Sequence, residues 1–130
     1  MDRLDTLFLR IAIVYLIAGL LLGIGMAASG DHGMMPAHAH INLVGWITMA
    51  LFGLVYRAYP NAARTSLARA HFWVVNVAAP PLTIGVLGIT AGYPATFEPL
   101  AIVGSIVYAV GVVIFALVLY IHVAASAPTP

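Results

Sequence analysis

Long apolar stretches alternate with short polar ones along almost the whole chain. The apolar runs cover Leu7 to Ala28, about Pro36 to Arg57, about Ala70 to Ala91 and about Pro99 to Val123. Each is close to the roughly 20 residues that a helix needs to cross the hydrocarbon core of a bilayer. The pattern predicts four membrane helices over residues 7–28, 36–57, 70–91 and 99–123, forming one domain over residues 1–123. The closing segment AASAPTP, residues 124–130, has the composition of a disordered tail. The expected fold class is all-α, an integral membrane four-helix bundle.

The polar punctuation supports these limits. Pro36 suits a first helical turn, with Ser29 to Met35 as the loop before it. Pro60-Asn61 and Tyr93-Pro94 mark two further turns. Pro80-Pro81 falls in the middle of the third run and predicts an interruption there. The first run has a basic start and ends in Met26-Ala27-Ala28-Ser29, as a signal peptide would. It is long for a signal core, and Gly19 and Gly23 form a small-xxx-small pair suited to close helix contact, so it is expected to stay as a membrane helix.

Composition agrees. The chain is 63% hydrophobic and 7% charged, with mean hydropathy +1.06, against an apolar share of about 45–50% in soluble domains. A net charge of +1 with no lysine argues against nucleic acid or a polybasic lipid-binding tract. The absence of cysteine excludes disulfides, thiolate metal sites, iron–sulfur clusters and covalently attached c-type haem. No phosphate loop, nucleophile elbow or internal repeat appears.

Charge placement is more informative than the total. Arg3, Arg10, Arg57, Arg64 and Arg69 all fall on one side of the predicted membrane, whereas the other two loops carry Asp31 and Glu98. The positive-inside rule then puts both termini in the cytoplasm, in a multi-pass protein of the cytoplasmic (inner) membrane.

The chemistry concentrates in the second run. His38 and His40 lie in its first turns, followed by an uncharged stretch to Tyr56. Ionisable rings at that depth mark a functional site by default. At about 100° per residue, positions i and i+2 diverge by about 200°, so the two rings serve two clefts rather than chelating one ion. His38 shares its face with Asn42, Gly45, Met49, Gly53 and Tyr56, a groove in which a flat macrocycle could approach the backbone, with Trp46 to one side. His40 shares its face with Val44, Ile47, Leu51 and Leu54, an apolar wall. Such surroundings suit a haem with axial imidazoles. His32, Met34 and Met35, with His38, compose an alternative soft-ligand set for copper. His71 and His122 read as ordinary rings at the cytoplasmic interface.

The segment HAHINLVGWITMALFGLVYRAYP resembles helices of the catalytic subunit of the haem–copper oxidase and nitric oxide reductase superfamily. There, arcs of four helices surround haems, and a His-x-His pair ligates two different haems. The resemblance implies iron ligation by His38 and His40. It covers the second helix well and the rest only in helix count and orientation. The chain departs from the family in having no adjacent histidine pair for copper, no histidine-linked tyrosine motif and no membrane lysine. A complete oxygen-reduction site is therefore not expected.

The sequence thus leads to a membrane protein holding haem b, or a related non-covalent haem, through His38 and His40, with Asn42, Gly45, Trp46 and Met49 around it. Electron transfer or gas or redox sensing is the expected role. Copper handling and a structural place in a respiratory complex are the alternatives. Diverging rings need ligands from a second copy, and the family's three arcs suggest a homotrimer.

Overall fold

The computed structural model describes residues 3–123, all but short connections of which are helical. The tail 124–130 lies outside the described residues. Helix α1 spans Leu4–Ser29, α2 Met35–Ala58, α3 Pro60–Ala63, α4 Ser66–Thr90 and α5 Pro94–Val123. Four of these, all except α3, are long and apolar enough to cross a membrane. The protein is a multi-pass, all-α membrane protein built as a four-helix bundle.

Local chemistry explains the ends. Gly30, at φ 70°, closes α1 in the left-handed region where glycine has no Cβ to clash. Pro36 falls in the first turn of α2, where a missing N–H costs nothing. The Thr65 hydroxyl accepts from the Ala68 N–H at 3.1 Å and caps α4. The helices begin earlier than the hydrophobic runs suggest, at Leu4, Ser66 and Pro94 rather than near 7, 70 and 99. Polar and proline residues fit a first turn, whose N–H groups have no partner within the helix. The arginine-rich connection also holds the short helix α3.

The Pro80-Pro81 interruption does not occur; α4 continues through it. Each proline removes a backbone donor, and the neighbouring helix comes in close at this point. A Cβ on Gly104 of α5 would stand 2.5 Å from the Leu82 nitrogen and 3.0 Å from the Pro81 carbonyl carbon. The helix survives because α5 braces it where its own ladder is thinned. This makes α4 and α5 the most extensively packed pair, with α1 against α2 as the second pair.

Large apolar side chains such as Val14, Leu21, Val103 and Val113 lie on the outside. The core is richest near the arginine-bearing end, where Phe8, Phe52, Tyr56 and Phe72 gather from α1, α2 and α4. An exterior of this kind matches hydrocarbon surroundings, in which polar groups must find partners inside the protein.

Candidate functional site

At the opposite end of the bundle from the arginines, α1 and α2 meet through Gly19 and Gly23 on one side and His38 and Asn42 on the other. The His38 ring turns toward α1, and its Nδ1 donates to the Gly19 carbonyl at 3.0 Å. Because a carbonyl only accepts, the proton is on Nδ1 and the lone pair of the neutral ring is on Nε2. His40 repeats this on the other side of the helix, donating from Nδ1 to the Pro36 carbonyl at 2.7 Å. Both rings thus have a fixed tautomer with the lone pair on Nε2, the arrangement in which a backbone carbonyl orients a metal-binding histidine; that of His40 is open, whereas that of His38 accepts from the Asn42 amide.

Asn42 completes the His38 side. Its amide donates to the His38 carbonyl at 2.9 Å and lies 3.4 Å from His38 Nε2. The room for this comes from α1. A Cβ at Gly19 would meet the Asn42 side chain at 2.5 Å, and one at Gly23 would meet His38 Cε1 at 3.0 Å. The small-xxx-small pair is therefore the surface on which His38 and Asn42 rest.

The groove expected below His38 is filled by protein. Gly45 is covered by the Tyr15 ring, and Gly53 lies against the Asp5 carbonyl and the Leu9 and Phe8 side chains. Met49 is wholly buried, and Trp46 packs partly buried against the core. These residues share the face that the sequence assigns them, but helix α1 occupies it, so a macrocycle does not lie between α1 and α2. The His40 side is open. Leu43, Ile47, Leu51 and Leu54 are each about half exposed, by 56%, 45%, 54% and 52%. Imidazole Nε2 suits iron, but the open space for a planar group lies outside the chain along this wall, beside His40 and not on the His38 side.

Below the histidines, α2 is π-helical over Ile41–Thr48. Side chains take up carbonyls in this stretch. The Thr48 hydroxyl donates to the Leu43 carbonyl at 2.7 Å, and the Tyr108 hydroxyl on α5 donates to the Val44 carbonyl at 3.0 Å. Such π-segments within α-helices are frequent at functional sites.

The residues of the copper alternative face different neighbours. The Met34 thioether accepts from the Thr90 hydroxyl of α4 at 3.2 Å, His32 Nδ1 donates to the Gly30 carbonyl at 3.2 Å, and Met35 is 56% exposed. Among the described residues, no three histidine, cysteine, aspartate or glutamate side chains gather into a metal-binding group.

His71 is not the interfacial ring that the sequence suggests. It is fully buried, its Nδ1 2.8 Å from the Tyr56 hydroxyl, inside a cage that includes Phe8, Phe52 and Phe115. Its Nε2 has no hydrogen-bond partner among the described residues. The Phe52 ring stands edge-on at 4.5 Å and 88°. With Nδ1 as acceptor only the Nε2–H lacks a partner among the described residues, whereas with Nδ1 as donor both the Tyr56 hydroxyl proton and the Nε2 lone pair would lack one. Tyr56 is therefore the donor and Nδ1 the acceptor. The signal for this cage was that Phe8, Phe52, Tyr56, Phe72 and Phe115 all fall toward the arginine end of their runs. His122 is partly buried at the end of α5.

Compared with models of protein families, with characterised proteins and with solved structures, the chain matches none.

Proposed function

We propose that this is a b-type haem protein of the cytoplasmic membrane, serving electron transfer or gas or redox sensing, with Nε2 of His38 and His40 as axial donors. The observation that carries the reading is the paired tautomer. Two imidazoles within three residues each spend Nδ1 on a carbonyl, at 3.0 and 2.7 Å, which puts both lone pairs on Nε2; that of His40 is open, and that of His38 is held by the Asn42 amide at 3.4 Å, a contact that a ligand would have to displace. A bound haem supplies reversible one-electron chemistry at its iron, tuned by its axial ligands and surroundings. The chain's own contribution is to orient the imidazoles and to offer the dry wall of Leu43, Ile47, Leu51 and Leu54 beside His40.

The diverging rings serve two irons. His38 leans on α1 and His40 borders the open wall, so one chain does not bring both rings to one iron, and a second imidazole would have to come from a neighbouring copy. Head-to-tail contacts that close into a ring satisfy every donor, and a homotrimer is the assembly proposed. Two imidazoles fill both axial positions and favour electron transfer; one leaves a position for a diatomic gas. The copper reading has less support, because Met34 and His38 are turned to different helices.

The test is the absorption spectrum of the purified protein, oxidised and reduced, with native mass spectrometry of the same sample. A Soret band that is lost or altered in His38→Ala and in His40→Ala, but kept in His122→Ala, is the expected result. A colourless protein, a band that survives both substitutions, or a monomer that retains its haem would each count against the proposal.

A further inference from the structure

At the arginine-bearing end the bundle encloses a second feature, independent of the histidine pair. A cavity of about 190 Å³ opens there, bounded by the start of α1, the end of α2 and the short helix α3. Its lining includes the charged residues Arg3, Asp5, Arg57 and Arg64, with Tyr56 as part of its wall. Three arginines thus line one concave space with a single aspartate, although the chain as a whole carries only +1. Among the described residues no carboxylate forms an ion pair with any of these arginines. The Tyr56 hydroxyl is committed as donor to His71, so the cavity's donors toward a ligand are the guanidiniums.

We propose that this cavity binds a phosphate group. A guanidinium presents a planar fork of N–H donors that matches two oxygens of a phosphate and carries a charge that cannot be titrated away. Three forks around one space suit a tetrahedral anion with several acceptor oxygens. The cavity is too small for a macrocycle. It also lies at the end of the membrane-spanning helices, at the depth of lipid head groups, where basic pockets between helices hold anionic lipids. The phosphate belongs to an anionic phospholipid or to free phosphate in solution, and the chemistry of recognition is the same for both.

The test uses the full chain reconstituted in nanodiscs of phosphatidylcholine, titrated with a fluorescent phosphatidylglycerol and read by energy transfer from the protein's tryptophans. Arg57→Gln with Arg64→Gln is compared with Arg10→Gln with Arg69→Gln, which removes the same charge outside the cavity. The cavity pair is expected to lose about tenfold or more in phosphatidylglycerol enrichment, and the control pair to lose less than twofold. Asp5→Asn, which removes the opposing charge, is expected to raise enrichment. Competition by millimolar inorganic phosphate in the wild type, abolished in the cavity pair, assigns the site to free phosphate; enrichment that withstands it assigns the site to the lipid head group. Equal losses in the two arginine pairs, or no loss in either, would overturn the proposal. Should the cavity pair fail to fold, an Asp5→Asn protein with unchanged enrichment overturns it as well.

Discussion

The Tyr56 hydroxyl on α2 donates to His71 Nδ1 on α4 across 2.8 Å, inside a cage to which the other two long helices add Phe8 and Phe115. Tyr56→Phe leaves a buried imidazole nitrogen without a donor, and His71→Leu leaves a buried hydroxyl without an acceptor. Each single substitution is expected to cost about 1–2 kcal/mol. The double substitution removes both polar groups and is expected to cost less than the two singles added together. Thermal unfolding in detergent over the four-protein cycle measures the coupling; simple additivity would mean the hydrogen bond contributes nothing.

Glycines in this bundle differ in what surrounds them. The Tyr15 ring lies over Gly45, and nothing lies within 4 Å of a Cβ placed on Gly25 of α1. Gly45→Ala is expected to destabilise by about 1–3 kcal/mol through overpacking. Gly25→Ala is expected to be neutral or to gain up to about 1 kcal/mol by restricting the unfolded chain. Unfolding midpoints of the two variants, measured side by side, give the comparison.

Gly23 leaves room for the His38 ring, since a Cβ at this position would stand 3.0 Å from His38 Cε1. Gly23→Ala should tilt that ring and lengthen its bond to the Gly19 carbonyl. In a haem-loaded protein the expected outcome is a shifted or weakened Soret band, with the His122→Ala band unchanged. A Gly23→Ala spectrum identical to the wild type would show that the Gly19 contact does not orient the ligand.

All arginines stand at one end of the helices, and the His32 to Met35 loop at the other. A reporter active only in the periplasm is expected to be silent when fused after Pro130 and active when inserted near Gly33. The reverse pattern would turn the protein over and move the histidines to the cytoplasmic side.

The four spans were legible in the sequence because hydrophobic length is a strong signal and hydrocarbon tolerates little else. The division of α2 into a His38 face and a His40 face was legible in large part, since Gly45, Met49, Gly53 and Tyr56 are all buried while Ile47, Leu51 and Leu54 are exposed; Val44, expected on the exposed wall, packs against the core and Leu43 is exposed instead, because the turns are wider there than in an α-helix. What fills the His38 face was not. A glycine row reads equally as a seat for a flat ligand or for another helix, and only the placement of Tyr15 and Phe8 decides between them. His71 was misplaced for a related reason. Its position near a helix start suggested the interface, but its environment comes from rings on other helices. The proline pair misled by the opposite route, because local chemistry predicted a break that Gly104 on another helix prevents.

The wide-turn stretch Ile41–Thr48 acts as a phase setting between the two halves of α2. It separates the imidazoles above from the Tyr56 end below, and its i→i+5 pairing accommodates residues that an α-helix would distribute differently. Deleting one residue within it would let the segment relax to ordinary α-helix. Because wide turns absorb residues that an α-helix would carry round by about 100° each, that deletion would leave the upper half near its present azimuth, whereas a deletion in the regular α-helix below it would carry His38 off the Gly19 carbonyl. The wide-turn stretch thus acts as a buffer of helical phase, letting the histidine pair and the Tyr56 end keep their separate partners on one continuous helix.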